Sequence, residues 1–119
     1  MHTMFLNDLG VLEIKYSGKI DVAEQEKVVE EAGEMTGSLR AQGKKVLLLV
    51  DANGLELPSA EVRKKGVELM NSQGYDRIAI FTSNRILRYI NNLISRASGF
   101  AAKNRMFSDK ESALKWLLE

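Results

Sequence analysis

The sequence has no cysteine and only one histidine, His2. The absence of cysteine excludes disulfides, thiolate catalysis and zinc or iron–sulfur sites that cysteine would hold. His2 lies at a chain end that we expect to fray, whereas a Ser-His-Asp triad needs a rigidly held histidine. Glycine-rich phosphate and dinucleotide motifs are also absent. We therefore predict a protein that is not an enzyme, with no catalytic residue, no metal and no cofactor.

A strong net charge and long apolar runs are lacking as well. The 17 basic and 16 acidic residues leave a net charge of +1, which gives no general attraction to nucleic acid or acidic membranes. The longest apolar run, Val46–Val50, is far shorter than the roughly 20 residues that span a membrane. The first residues form no apolar stretch of signal-peptide length. We expect a cytoplasmic protein with no membrane span and no specific nucleic-acid partner, and peripheral contact with lipid stays open.

Apolar residues make up 45% of the sequence, which is enough for the core of one domain over residues 1–119. Alternating apolar and polar residues predict an early strand with one buried face, and the turn Asn7–Gly10 joins it to a strand before it. Two later runs are continuously apolar, which is typical of strands that are buried on both faces. The predicted strands are Met4–Leu6, Leu12–Tyr16, Val46–Val50, Ile78–Phe81 and Arg105–Phe107.

Apolar residues at helical spacing predict four helices between these strands. Asp21 with Glu24, and Ser108 with Glu111, have the spacing of a capping box, in which each side chain satisfies a backbone N–H near the other. Ser59 has the position of an N-cap. The predicted buried stripes are Val28, Ala32, Met35 and Leu39; Val62, Gly66, Leu69 and Met70; Ile86, Ile90, Leu93, Ile94 and Ala97; and Ala113, Leu114, Trp116 and Leu117.

The order of elements is therefore β-β-α-β-α-β-α-β-α. Strands that alternate with helices favour a mostly parallel sheet with helices on both faces. We predict an α/β fold with a five-stranded, mixed, mostly parallel sheet and four flanking helices, in which the first strand is the antiparallel one.

The sequence resembles the SpoIIAA-like family, which is related to the STAS domain and, more widely, to lipid-binding CRAL-TRIO domains. The resemblance covers nearly the whole chain. It rests on the strand Val46–Val50 closed by Asp51, on Asp76–Ile80, and on the ending Phe107, Ala113, Trp116 and Leu117. It implies a SpoIIAA/STAS-like fold and a role as a bacterial regulatory or ligand-binding domain.

Some members of this group are anti-sigma-factor antagonists that are switched by phosphorylation of a serine. Their serine lies in an Asp-Ser-Ser/Thr-Gly pattern before the second helix. The sequence has Leu57-Pro58-Ser59-Ala60-Glu61 there, so the motif is absent. Only Ser59 lies close to the right place, and it is the one candidate phosphosite that the resemblance implies.

Polar residues follow two of the predicted parallel strands. Asp51 and Asn53 follow the third strand, and Thr82, Ser83 and Asn84 follow the fourth. Ligands bind at this carboxyl edge in open parallel sheets, so these residues are candidate ligand contacts. The same residue types are common in turns and helix caps, and a purely structural role is the alternative for each of them.

Asp51 and Thr82 also suggest a phosphoacceptor receiver domain, which has an aspartate after the third strand and Thr or Ser after the fourth. Such a domain needs an acidic pair for Mg²⁺ after the first parallel strand and a lysine after the fifth strand. Here Asp21 stands alone, and Ser108 and Asp109 follow the last strand. Since a missing carboxylate weakens divalent-ion binding, the sequence argues against this class.

Basic residues are concentrated between Arg77 and Ser108, where no acidic residue occurs. Arg85 and Arg88 lie at the start of the helix after Asn84, where positive charge opposes the helix dipole. An anion bound by the N–H groups of that turn would explain both arginines. Alternatively, Asp51 or Glu56 fills that position, or the face is simply solvated. The candidate ligand-binding residues are thus Asp51, Asn53, Thr82, Ser83, Asn84, Arg85 and Arg88.

Three functions remain open. We favour a binding or regulatory module that meets a partner protein or a small anionic or apolar ligand at the carboxyl edge of the sheet. A carrier of lipid or another apolar ligand is the alternative, suggested by Phe100 beside a helix rich in isoleucine and leucine. A phosphorylation-switched regulator ranks below both, and a homodimer stays open.

Overall fold

A computed structural model of the protein contains one five-stranded sheet in the order β1-β2-β3-β4-β5. The structure describes residues 1–72, 74–89 and 103–119. β1 is antiparallel to β2, and each later strand is parallel to its neighbour. The strands are β1 (His2–Leu6), β2 (Val11–Gly18), β3 (Leu47–Leu55), β4 (Arg77–Phe81) and β5 (Asn104–Phe107).

Three of the helices are α1 (Val22–Ala41), α2 (Ala60–Ser72) and α4 (Lys110–Leu117). A further helix, α3, begins at residue 85 and is described through residue 89. The predicted element order and the mixed, mostly parallel sheet are therefore confirmed. The rest of the third predicted stripe lies outside the described residues, as does Phe100; these stripe residues are Ile90, Leu93, Ile94 and Ala97.

The sheet separates two apolar layers, and β3 contributes to both. Leu48 and Val50 pack in the layer with α1 and α2, whereas Leu47 and Leu49 pack in the layer with α4. Successive side chains of a strand point to opposite faces, so a central strand between two helical layers must be apolar throughout. The prediction that this strand is buried on both faces is confirmed.

The buried stripe of α1 contains Val28, Ala32 and Leu39, as predicted. Met35 is only partly buried, and its neighbour Thr36 takes the buried position. Gln25 is also buried, with 5% of its surface exposed. The stripe therefore carries a polar amide at the end of α1 that lies nearest to the carboxyl edge of the sheet.

β3 continues well beyond the predicted end of its apolar run. The predicted strand ends at Val50, whereas Asp51–Gly54 continue the parallel pairing with β2, where Ser17 lies opposite Gly54. The register shifts between Lys15 and Ser17, because the two residue steps from Lys15 to Ser17 in β2 pair with the three steps from Asp51 to Gly54 in β3. The extra residue therefore lies in β3. A Cβ at Gly54 would lie 3.1 Å from the Tyr16 carbonyl oxygen, so the close approach here favours glycine.

Only one half of the first predicted capping box forms. The Glu24 N–H donates to Asp21 Oδ1 over 2.8 Å, but the Glu24 carboxylate does not cap the helix in return. Its Oε2 lies 2.8 Å from His2 Nδ1, and His2 Nε2 lies 3.4 Å from Glu31 Oε2. These contacts hold β1 against α1, so the expectation that His2 lies in a frayed end is wrong.

The start of α4 differs from the prediction, whereas the start of α2 confirms it. The N-cap of α4 is Asp109, whose Oδ1 accepts from the Ser112 N–H over 2.8 Å. Ser108 was predicted as the cap, but its hydroxyl instead donates to Asp109 Oδ2. The predicted cap at Ser59 is confirmed, because its Oγ accepts from the Val62 N–H over 3.2 Å.

The buried side of α3 differs by one residue from the predicted stripe. Leu87 is 6% exposed, whereas Ile86 is 62% exposed. A shift of one residue turns a helix by about 100°, which moves Ile86 from the core side to the outside. Within the described part of the chain, none of the helices has the length and apolar character needed to cross a membrane.

Candidate ligand-binding site

An apolar pocket of about 140 Å³ lies between the sheet and α2. It lies on the face of the sheet that carries α1 and α2, and it extends from Leu48 and Ile78 near the starts of β3 and β4 to Leu55 at the end of β3. Its walls come from four strands, from the helices that cover them, and from the segment between β3 and α2. The lining residues are Tyr16, Ile20, Gln25, Leu48, Val50, Ala52, Leu55, Pro58, Val62, Arg63, Gly66, Val67, Ile78, Ile80, Leu87 and Met106.

Two buried polar side chains meet at one wall of the pocket. The Tyr16 hydroxyl donates to Gln25 Oε1 over 2.9 Å, and both residues are less than one-tenth exposed. Burial raises the pKa of Tyr16 to about 12, although the Gln25 hydrogen bond acts in the opposite direction. Tyr16 is therefore a neutral hydrogen-bond donor at physiological pH and has no role as a base.

The same hydrogen bond orients the Gln25 amide. Since Gln25 Oε1 accepts from Tyr16, Nε2 is the end of the amide that remains for another partner. A Cβ at Gly66 would lie 3.4 Å from this nitrogen. Within the described residues, Gln25 Nε2 has no hydrogen-bond acceptor. The missing side chain of Gly66 thus leaves the N–H donor group of Gln25 accessible in a mostly apolar wall.

Arg63 is the single charged residue in the lining of the pocket. Its Nη1 donates to the Pro58 carbonyl oxygen over 2.8 Å, which holds the half-buried side chain near the start of α2. Among the residues that the structure describes, no carboxylate pairs with it. The pocket therefore combines apolar walls, one amide donor and one guanidinium.

The polar residues that the sequence analysis placed at the carboxyl edge form a hydrogen-bonded junction between β3 and α3. Asn53 Oδ1 accepts from the Ser83 N–H over 2.8 Å, and Asp51 Oδ1 accepts from the Asn53 N–H over 3.0 Å. The Ser83 N–H therefore donates to Asn53 and not to Asp51 or Glu56. The internal acceptor at that position is the Asn53 side chain.

Most of the backbone N–H groups at the start of α3 already have side-chain acceptors. Asn84 Oδ1 accepts from the N–H groups of Ile86 and Leu87, and Thr82 Oγ1 accepts from the Asn84 N–H. Arg88 Nη1 donates to the Thr82 carbonyl oxygen over 2.9 Å. Arg85 is exposed. The structure brings these residues together as predicted, but none of them lines the pocket, and their binding of an anion stays a prediction.

Ser59 also lies beside the pocket without lining it. Its side chain is exposed and caps α2, and its phosphorylation stays a prediction. No group of three or more potential metal-binding carboxylates or histidines occurs within the described residues.

The sequence analysis missed Tyr16, Gln25 and Arg63 as pocket residues. One signal was available, because Gln25 precedes Val28 by three residues and thus belongs to the buried stripe of α1. A polar side chain on such a stripe needs a polar partner. Tyr16 lies in the apolar phase of β2 and carries a hydroxyl that could serve as that partner.

Comparison with known proteins gives matches in family and in fold. The model of the SpoIIAA-like family matches residues 11–118. Among solved structures, an uncharacterized protein with a SpoIIAA-like fold from Shewanella loihica aligns over 98% of this chain and 92% of its own, with 19% identity and a TM-score of 0.68. An anti-sigma factor antagonist from Mycobacterium paratuberculosis aligns over 100% and 94%, with 16% identity and a TM-score of 0.73. A comparison with curated proteins gave no significant match.

Proposed function

Since this chain belongs to the SpoIIAA-like family, we propose that it is a non-enzymatic binding module whose pocket takes a small apolar ligand with a polar end. The observation that carries the proposal is the Gln25 amide, which lines an apolar pocket and whose Nε2 has no acceptor among the described residues. A hydrogen bond typically contributes about 0.5–1.5 kcal/mol net. A ligand that brings an acceptor to this atom gains a contribution of that size.

The size of the pocket limits the ligand. A volume of about 140 Å³ is close to the roughly 150 Å³ of an apolar protein cavity that holds benzene. A single aromatic ring or a short alkyl chain therefore fits inside. Apolar contact contributes about 25 cal/mol for each Å² removed from water, so the apolar walls favour such a group over water.

Arg63 favours a negatively charged polar end on that ligand. A guanidinium makes charge-assisted hydrogen bonds with a carboxylate, and Arg63 has no carboxylate partner within the described chain. The favoured ligand class is thus a small carboxylate with a ring or a short alkyl chain. Such a ligand would be both apolar and anionic, which combines the two ligand types expected at this edge.

Titration with octanoate tests the proposal directly. Octanoate has a short alkyl chain and a carboxylate, and its binding can be followed by amide chemical shifts of residues that line the pocket. We expect shifts at Gly66, Val67 and Ala52. Octanol at the same concentration should bind more weakly, because it offers no charge to Arg63.

A pair of glycine substitutions separates the pocket from the rest of the surface. Gly66→Leu places a side chain in the pocket and should abolish octanoate binding without lowering the melting temperature, since leucine favours a helix over glycine. Gly37→Leu makes the same change in α1, where nothing lies within 4 Å of the new Cβ, and should leave binding unchanged. Full octanoate binding by Gly66→Leu would contradict the proposal.

A further inference from the structure

Basic side chains gather at the opposite edge of the sheet, where β3, β4 and β5 begin. Lys44 and Lys45 directly precede the buried Val46, whose N–H donates to Asp76 Oδ2. The Ile78 N–H donates to the Lys103 carbonyl oxygen over 2.7 Å. Since neighbouring strands lie about 4.8 Å apart, these residues share one edge. We call this set the amino-edge patch: Arg40, Lys44, Lys45, Arg77, Lys103 and Arg105.

Arg40 joins the patch from the end of α1. A Cβ at Gly74 would lie 3.1 Å from Arg40 Nη2, so the guanidinium packs against the backbone just before β4. Burial raises the pKa of the Tyr75 hydroxyl, and this effect is larger than the opposite effect of the nearby Arg40 charge. Tyr75 is thus neutral and supplies no negative charge to the patch.

The amino-edge patch is not neutralised by the rest of the described chain. Its six cations make no ion pair with any described carboxylate, whereas Lys65 pairs with Glu26 and Glu68 and Lys110 pairs with Glu13. Asp76 lies at the same edge, but its Oδ2 accepts from the Val46 N–H over 2.7 Å. Glu119 also lies near this edge, because its backbone N–H donates to the Trp116 carbonyl oxygen.

Two arginines of the patch are held in place by one indole ring. Arg77 Cζ lies 4.9 Å and Arg105 Cζ lies 5.3 Å from the centre of the Trp116 ring. Arg77 Nη1 also donates to the Trp116 carbonyl oxygen over 2.6 Å. Because the guanidiniums are ordered by these contacts, they lose less conformational entropy when a ligand binds.

The aromatic residues at this edge favour an ionic partner over stacked bases. Trp116 is 9% exposed beneath the two guanidiniums, and Tyr75 is 3% exposed. Non-specific binding of single-stranded nucleic acid relies on accessible rings on which bases stack, and neither ring is accessible. Guanidinium groups match carboxylates in bidentate geometry, and several cations at one edge match a run of carboxylates.

We propose that the amino-edge patch docks an acidic segment of a partner protein. None of the six patch residues lines the pocket, so this interaction does not depend on the ligand that the pocket takes. It would leave the carboxyl edge free while the partner is bound.

A labelled peptide of ten alternating glutamates and aspartates is a suitable probe, with binding followed by fluorescence anisotropy. Two double variants reverse the charge of the patch, namely Lys44→Glu with Lys45→Glu and Lys103→Glu with Arg105→Glu. Lys27→Glu with Lys64→Glu is the matched control, because both lysines are exposed on α1 and α2 and the net charge changes equally. We expect a loss of affinity of about tenfold or more in each patch variant and less than about twofold in the control.

The Lys44 and Lys45 variant keeps the test valid if Arg105→Glu destabilises the fold, because neither lysine contacts Trp116. Raising the salt concentration from 50 to 300 mM should weaken wild-type binding, since exposed charges are screened. An equal loss in the control, or no binding at millimolar peptide, would overturn the proposal. Tighter binding to oligothymidylate or to phosphatidylserine vesicles, with the same dependence on the patch, would overturn it in favour of nucleic acid or lipid.

Discussion

Tyr16 and Gln25 form a buried hydrogen bond of 2.9 Å that joins β2 to the first turns of α1. The bond satisfies the Tyr16 hydroxyl and fixes the Gln25 amide, so that Nε2 faces the pocket. One contact thus connects the packing of α1 on the sheet with the chemistry of the candidate site. Its energetic consequences can be measured separately from ligand binding.

The first prediction concerns stability at alkaline pH. The pKa of Tyr16 is raised from 10 to about 12 in the folded protein, so folding favours the protonated hydroxyl. Its contribution to stability is fully present below pH 10 and is lost as the pH rises towards 12. Over this interval the free energy of unfolding should fall by up to about 1.4 kcal/mol per pH unit for this group.

Urea unfolding between pH 9 and 11 measures this effect. Tyr16→Phe removes the titrating group and should show a shallower decline than the wild type, although it starts from a lower stability because Gln25 loses its partner. Tyr75, whose pKa burial also raises, accounts for part of the remaining slope. An identical decline in Tyr16→Phe and wild type would contradict the assignment.

A second prediction uses the close approach of β2 and β3 at Gly54. In Gly54→Ala the new Cβ would lie 3.1 Å from the Tyr16 carbonyl oxygen, which the sheet pairing holds in place. We expect a destabilisation of about 1–3 kcal/mol, as is typical of overpacking. Gly37→Ala is the matched control, since its Cβ meets nothing within 4 Å and alanine favours the helix. Chemical denaturation of both variants gives the comparison, and a Gly54→Ala protein as stable as Gly37→Ala would refute the steric argument.

The length of β3 shows where sequence reasoning stops. The apolar run Val46–Val50 predicted a central strand because burial on both faces leaves a local signature. The continuation through Asp51–Gly54 leaves no such signature, since its composition is that of a turn and its pairing depends on Ser17 and Gly18 of another strand. Local composition cannot report a contact that is formed across the sheet.

The pocket could not be predicted from the sequence for a related reason. The sequence analysis found polar residues after the strands, and these form the junction between β3 and α3. The pocket instead arises where side chains from separate segments meet, and no spacing in the chain encodes that space. Gln25 was the single local indication, as a polar residue on an otherwise apolar stripe. The predicted buried side of α3 was wrong by one residue, because Ile86 and Leu87 are equally apolar and only packing distinguishes them.

A third prediction concerns acid pH and the contact between β1 and α1. The hydrogen bond from His2 holds the pKa of Glu24 below its usual 4.5. A lowered pKa in the folded state stabilises the protein above pH 4.5, and this contribution is lost as the pH falls through the folded-state pKa. In His2→Ala the pKa of Glu24 should move upwards towards 4.5. Carboxyl chemical shifts of Glu24 during an NMR titration measure the change, with Glu34 as an exposed reference on the same helix. A Glu24 titration unaffected by His2→Ala would show that other groups set its pKa.

The last prediction concerns Trp116, which docks α4 on the sheet. Its side chain is 9% exposed, its ring centre lies 5.8 Å from that of Phe107, and Arg77 and Arg105 cover it. Truncation of a buried aromatic residue typically costs about 3–5 kcal/mol. Trp116→Ala should therefore lower the melting temperature by about 10 °C or more. Leu118→Ala, at the C-cap two residues after Trp116, is the control, since Leu118 is 48% exposed and should shift the melting temperature little.

The same variant also separates the two faces of the sheet. Trp116 packs in the layer with Leu47 and Leu49, whereas the pocket lies against Leu48 and Val50 on the other face. At a temperature where Trp116→Ala remains folded, octanoate should thus bind with wild-type affinity, while the acidic peptide should bind more weakly because Arg77 and Arg105 lose the ring that orders them. An unchanged melting temperature would contradict the structural role of Trp116. Unchanged peptide affinity would show that the indole does not organise the amino-edge patch.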